Sequence, residues 1–142
     1  MFKFISTLLV SAHMMGAAYA QEMPVELSLT VDGIAPSEGS LMIAVFDSAD
    51  AWNGGAPVAG IRASVDGEQV TATLGTLPAG RYGIKMYHDV NANGEMDTNL
   101  MGIPSEPFAF SNNARGRFGP ASWDDAAFEL TAQSANQSIR FD

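Results

Sequence analysis

Hydrophobic and polar side chains alternate over several short segments of this chain. Residues 25–31 (VELSLTV) alternate with a period of two, which is typical of a strand with one buried face. Residues 41–46 (LMIAVF) are apolar throughout, so we expect a central strand that is covered on both faces. The same reasoning predicts further strands at residues 61–65, 70–74, 81–88 and 137–142.

Turn residues separate these segments, as in Asp32-Gly33 and Asp66-Gly67. No segment carries a long stretch of apolar residues at helical spacing. Six to eight short strands joined by turns are typical of an all-β domain. We therefore predict a single antiparallel β-sandwich of the immunoglobulin-like type with one long ordered loop.

That loop is predicted at residues 89–120, which are rich in Asn, Gly, Ser and Pro. A loop of this length inside a compact domain is usually functional, ordered by other groups, or both. After it, Ser122 is the predicted N-cap of a short helical turn at residues 123–128. The alternative is that residues 127–130 already belong to a strand.

The beginning of the chain has the features of a secretory signal peptide. Lys3 precedes a short apolar stretch, and Ala18-Tyr19-Ala20 is a small-x-small cleavage pattern. The apolar stretch is too short for a membrane span. We predict a signal peptide at residues 1–20 and one domain at residues 21–142, located in a periplasm or outside the cell and not inserted in a membrane.

The composition is acidic and contains no cysteine, with a formal net charge of −9 at pH 7. Disulfides therefore contribute nothing, and nucleic acid or an anionic lipid surface is not an expected partner. A ligand or protein of the cell envelope is expected instead. Arg115, Arg117 and Phe118 form one basic-aromatic cluster that could bind an anion. A solvated loop that pairs with the acidic surface is the simpler interpretation.

Oxygen-bearing side chains recur at alternate positions in the stretch HDVNANGEMD. Asp89, Asn91 and Asn93 follow this spacing, Gly94 comes directly after the third of them, and Asp97 follows four residues after Asn93. The pattern matches the first half of an EF-hand loop, in which residues two apart point inward together. Calcium needs six to eight oxygens at about 2.3–2.6 Å, and such a loop supplies several of them.

The match to an EF-hand is incomplete. Leu100 occupies the position of the bidentate glutamate, and the segment before the loop has a strand pattern. Glu106 is the nearest acid downstream, and the carbonyl of Glu95 follows the glycine turn. The predicted calcium ligands are Asp89, Asn91, Asn93, Glu95, Asp97 and Glu106. The alternative is a run of Asx turns, closed by hydrogen bonds without any ion.

Catalytic patterns are weak in this chain. His88 is the only histidine after the predicted signal peptide, and one histidine without cysteine makes a poor zinc or copper site. We interpret it as a structural, hydrogen-bonded residue at a strand end. A hydrolase that uses His88 with Asp89 or Glu106 is the alternative. No activated serine motif or phosphate-binding glycine loop is present, so a non-enzymatic role is favoured.

Exposed aromatic side chains suggest another function. A carbohydrate- or peptide-binding module would stack its ligand on Trp52, Trp123 or Tyr87. Trp52 lies in a Gly- and Asn-rich loop and is the better candidate, whereas Trp123 is expected to pack in the core.

Several motifs together are similar to a family of exported bacterial proteins known as domain of unknown function 2141. They lie within GSLMIAVFDS and LPAGRYGIKMYHDVNANGEMDTNLMGIPSEPFAFSNNARGRFGPASWDDAAF. The shared pattern is His-Asp, Asn-Gly-x-x-Asp, Gly-x-Pro-x-Glu, Phe-Ser-Asn-Asn and a Pro-to-Phe segment. These motifs occupy residues 88–89, 93–97, 102–106, 110–113 and 120–128.

The resemblance implies an exported domain of about this size with no established activity. It also implies that His88, Asp89, Asn93, Asp97 and Glu106 share a polar cluster with residues 111–113. The Leu-Pro-x-Gly-x-Tyr segment resembles transthyretin-like and carboxypeptidase-regulatory-like β-sandwiches. The sequence thus predicts an exported, non-enzymatic β-sandwich with a polar, candidate calcium-binding loop and a structural or binding role in the cell envelope.

Overall fold

The computed structural model describes residues 23–142, so the predicted signal peptide lies outside the described residues. These residues form eight strands, two four-residue α-helices and one 3₁₀ turn at Ser111–Asn113. The helices are α1 (Ala49–Trp52) and α2 (Trp123–Ala126). The strands are β1 (Val25–Asp32), β2 (Ser40–Phe46), β3 (Ala59–Ser64), β4 (Val70–Leu77), β5 (Gly80–Asp89), β6 (Phe108–Phe110), β7 (Phe128–Leu130) and β8 (Asn136–Arg140). In this part of the chain, no helix has the length and apolar character needed to cross a bilayer.

The strands form two sheets. One has the order β4-β1-β8, and the other has the order β3-β2-β5-β6, with β7 also paired to β5. The all-β prediction is confirmed. The prediction of purely antiparallel pairing is wrong for β1 and β8, which run parallel. Alternation of buried and exposed side chains is the same in either direction, so it carries no information on how distant strands pair.

Apolar side chains from both sheets form one continuous core. Its members include Leu27, Leu29, Ile43, Ile84 and Ile139. A second, smaller apolar cluster lies on the opposite face of the β3-β2-β5-β6 sheet and consists of Phe46, Trp52, Phe110, Ala121 and Ala126. Strand β2 contributes to both clusters, so its outer face is covered at the Phe46 end, whereas Met42 on the same face stays partly exposed. The prediction that β2 is covered on both faces is therefore correct only for that end of the strand.

Trp52 is the centre of the smaller cluster and is only 2% exposed. Its ring lies over Gly83 of β5, where an added Cβ would come within 2.8 Å of the indole. The indole Nε1 donates a hydrogen bond to the carbonyl of Ala121 at 2.9 Å. The prediction of an exposed Trp52 is therefore wrong. Gly83 has no side chain, and the indole ring of Trp52 occupies the space that this leaves. Trp123 packs against Trp52 with ring centroids 5.9 Å apart, as expected.

Ser111 fills a gap along the edge of β5. Strands β6 and β7 pair with different parts of this edge and leave Ile84 between them. The hydroxyl of Ser111 accepts a hydrogen bond from Ile84 N at 2.9 Å and donates one to the carbonyl of Ala126 at 2.5 Å. The predicted helical turn and its alternative, a strand, are both present, because α2 is followed directly by β7.

Replacing Ser111 by alanine is expected to lower the free energy of unfolding by about 1–3 kcal/mol, because a buried amide loses its acceptor. Denaturant unfolding of the purified protein measures this change. Ser105→Ala is the control, since Ser105 is exposed and the expected change is below about 0.5 kcal/mol. Equal stability of the two variants would contradict the proposed role of the hydroxyl.

Candidate functional site

Asp89 ends β5 and organises the first turn of the long loop. Its carboxylate is fully buried and accepts hydrogen bonds from Asn93 N at 3.2 Å and from Gly94 N at 2.8 Å. The side chain of Asn91 forms an Asx turn by accepting from Asn93 N at 3.3 Å. Ala92 and Gly94 have φ angles of 55° and 81°, so the chain winds tightly around the carboxylate.

The segment predicted as one loop at residues 89–120 is interrupted by β6 and the 3₁₀ turn. Glu106 closes its first part, residues 90–107, from the end next to β6. This buried carboxylate accepts from Val90 N through one oxygen and from Asp97 N through the other, both at 3.1 Å. Val90 and Glu106 are sixteen residues apart in sequence. A single side chain thus fixes the beginning and the middle of the loop relative to its end.

The carboxylate of Asp97 is the point at which the two asparagines meet. Asn91 Nδ2 donates to one oxygen at 2.6 Å, and Asn93 Nδ2 donates to the other at 2.9 Å. The oxygen of Asn93 accepts from Glu95 N at 3.0 Å. Five of the six predicted ligands therefore join one hydrogen-bonded polar cluster through their side chains, and Glu95 joins it through its amide.

The cluster is closed by protein hydrogen bonds in this arrangement. The amide groups of Asn91 and Asn93 present nitrogen to Asp97, and nitrogen of an amide does not bind calcium. Both asparagine oxygens already accept backbone bonds. Within residues 23–142, no three His, Cys, Asp or Glu side chains are placed to hold a metal ion. The Asx-turn alternative describes the observed hydrogen bonds.

His88 lies outside the polar cluster. It is fully buried on the core side of β5, where Nε2 donates to the carbonyl of Glu38 at 2.6 Å. Its ring lies 6.3 Å from that of Phe141, and its Nδ1 has no partner in the described part of the chain. The groups that a hydrolase would need, His88 with Asp89 or Glu106, do not converge in an open pocket.

Residues 111–113 also bond elsewhere, which corrects the implication that they belong to the same cluster. Asn112 Nδ2 donates to the carbonyls of Asp125 and Ala127 at 3.2 and 2.9 Å. The oxygen of Asn113 accepts from Arg140 N at 2.9 Å. This motif attaches the end of β6 to α2 and β8, so its role is to hold the fold together.

The outer face of the β3-β2-β5-β6 sheet carries a groove that the sequence analysis did not identify. Its volume is about 1150 Å³. Two rows of cross-strand neighbours form its floor: Arg62, Met42, Tyr87 and Phe108, and beside them Gly60, Ala44, Lys85 and Phe110. The long loop supplies walls through Met96, Ile103, Pro104, Arg117, Phe118 and Pro120. These residues together form the groove.

The polar cluster and the groove are two sides of the same loop. The hydroxyl of Tyr87, on the groove floor, donates to the carbonyl of Gly94 at 3.3 Å. Burial raises the pKa of Tyr87, and the nearby charges of Asp89 and Glu106 raise it further. The hydrogen bond to Gly94 needs the protonated phenol, so it persists through neutral pH. The hydrogen bonds of the polar cluster therefore also fix the apolar side chains of the loop that line the groove.

Several large apolar side chains of this region are exposed. They are Leu100, Met101, Ile103, Phe108 and Phe118, of which the last three line the groove. Apolar groups grouped on a surface commonly mark a binding site. The available signal in the sequence was this excess of apolar residues inside a polar loop. The strand pattern gave no indication that the loop would fold over the sheet and leave a groove.

Comparison with protein families shows one matching family model. The model of the family described as an uncharacterised protein conserved in bacteria (DUF2141) matches residues 29–139, and the chain belongs to this family. Searches of curated proteins and of solved structures give no match. The resemblance noted in the sequence is confirmed.

Replacing Glu106 by glutamine is expected to lower the free energy of unfolding by about 1–3 kcal/mol, because one of two amide donors loses its acceptor. Chemical denaturation measures the change. Glu95→Gln is the matched control, since the Glu95 side chain is exposed and makes none of the cluster bonds. If both variants are equally stable, Glu106 does not hold the loop.

Proposed function

We propose that this protein is an exported, non-enzymatic binding domain that holds a largely apolar ligand in the groove. The two sheets share one core, which supports a β-sandwich as the scaffold. The polar cluster has a structural role in this proposal, because it orders the loop that walls the groove. A place in the cell envelope follows from the predicted signal peptide.

The open, apolar groove is the observation that carries the proposal. The same sheet face is covered at its other end by the Trp52 cluster, whereas Met42 and Phe108 remain accessible on the groove floor. Exposing apolar surface to water is unfavourable by about 25 cal/mol per Å². A ligand that covers the groove recovers this free energy, and the preformed walls lower the entropy lost on binding.

The carbohydrate-binding alternative receives less support from the same geometry. Trp52, its leading aromatic residue, is buried, and the groove floor consists mostly of apolar side chains. A sugar placed there would lose hydrogen bonds from its hydroxyl groups without replacement. The groove therefore favours an apolar ligand over a polar one.

A leucine at Gly60 is expected to block the groove. An added Cβ at this position meets no atom within 4 Å, and β3 is an edge strand, so the fold accommodates the substitution. Titration with the neutral fluorescent probe N-phenylnaphthylamine should show affinity weakened by at least about tenfold. Thr73→Leu places the same side chain on the exposed face of the other sheet and should bind as the wild type does. Absence of probe binding to the wild-type protein would overturn the proposed function.

The loop is expected to need no calcium. A cation at Asp97 would require the amides of Asn91 and Asn93 to turn their oxygens inward and give up their Asx turns. Calcium at a hundredfold excess over its dissociation constant would stabilise the protein by about 2.7 kcal/mol, which is several degrees in melting temperature. We expect equal melting temperatures in calcium and in chelator. A rise with calcium that Asp97→Asn abolishes would instead establish the predicted ion site.

A further inference from the structure

We infer that the ligand of the groove is a single-chain amphiphile with a carboxylate head group, of the fatty acid type. The inference rests on the proposed function and adds the chemical class of the ligand. Three observations carry it: the cations of the groove, their lack of acidic partners, and the nature of the groove floor.

The charge of the groove is opposite to that of the whole protein. Arg62, Lys85 and Arg117 line it, and no Asp or Glu of residues 23–142 does so. The chain as a whole has sixteen acidic and seven basic residues. Asp89, Glu106 and Glu95 approach the floor near Tyr87, but none of them lines the groove. Asp89 and Glu106 are buried, and each accepts two backbone amides. The charged side chains that line the groove are thus all basic, and they lie beside apolar surface.

None of these three cations has an acidic partner in the described residues, where the ion pairs are Arg81–Asp124 and Arg115–Asp142. Lys85 is the clearest case. Its Nζ lies 4.5 Å from the centroid of the Trp52 ring and donates to the Trp52 carbonyl at 2.6 Å. Burial lowers the pKa of Lys85. An ammonium has three donors, so a carboxylate beside Lys85 gains a charge-assisted hydrogen bond and neutralises the cation.

The floor of the groove favours an acyl chain over a peptide. It is the face of a sheet, so the backbone groups of β2 and β5 are already paired with their neighbours. An extended peptide would therefore find no backbone partners for its amides, and unpaired buried amides are unfavourable. An acyl chain has no such groups. Four adjacent strands give the floor a width of about 14 Å, and the flexible side chains of Met42 and Met96 adapt to a flexible chain.

Displacement of N-phenylnaphthylamine by dodecanoate, dodecanol and dodecyltrimethylammonium tests the inference, because the three share one chain length and differ in charge. Dodecanoate is expected to bind about tenfold more tightly than dodecanol. Lys85→Met and Arg117→Gln should each reduce this preference. Arg81→Gln is the control, because Arg81 lies on the same face of β5 but outside the groove. In wild-type protein, high salt should weaken dodecanoate binding and leave dodecanol binding unchanged, which tests the charge without any substitution.

The outcomes separate the inference from the proposed function. Equal binding of dodecanoate and dodecanol, or preference for the cationic amphiphile, would overturn the carboxylate inference and leave an apolar binding site. Failure of the probe and of all three amphiphiles to bind would overturn the proposed function itself. Binding to anionic vesicles in place of monomeric dodecanoate would also overturn the inference, since it would assign the cations to a membrane surface.

Discussion

The long loop depends on two buried carboxylates, Asp89 and Glu106, each of which accepts two backbone amides. Neither has an arginine or lysine partner in the described residues. A charged group that leaves water needs strong replacement hydrogen bonds, and four amides supply them here. The amides come from residues 90–97, so the loop must keep one conformation for the carboxylates to stay satisfied. Order in the loop is thus a consequence of the burial of charge.

The two faces of the β3-β2-β5-β6 sheet are covered in different ways. The inner face belongs to the main core. On the outer face, Trp52 and its neighbours cover one end, and the loop stands along the other as a wall. The polar cluster fixes the conformation of this loop, and the hydrogen bond from the Tyr87 hydroxyl to the Gly94 carbonyl links the loop to the groove floor. A groove therefore persists where simple hydrophobic collapse would have closed the surface.

Much of the fold was predictable because alternation with period two is a strong local signal. It located β1, β3, β4, β5 and β8. A continuous apolar run located β2, and the cap residue Ser122 located α2. The convergence of Asp89, Asn91, Asn93, Asp97 and Glu106 was also predicted. The parallel pairing of β1 with β8 was not, because the burial pattern is independent of strand direction. The burial of Trp52 was not predicted for a different reason. A glycine in a strand, here Gly83, does not indicate which side chain will pack against it. The groove joins residues from four strands and two parts of a loop, so no local pattern describes it.

Net charge and local charge lead to different conclusions for this protein. An excess of acidic residues disfavours an approach to anionic membranes or nucleic acids, since that interaction is summed over the whole surface. Binding in a groove is decided over a few ångströms, where Lys85 and two arginines face apolar side chains without acidic partners. An acidic domain with a basic groove repels an anionic bilayer yet accepts one anionic molecule from solution. The proposed anionic ligand is compatible with this division, because a groove binds one molecule whereas repulsion of a bilayer is summed over the whole surface.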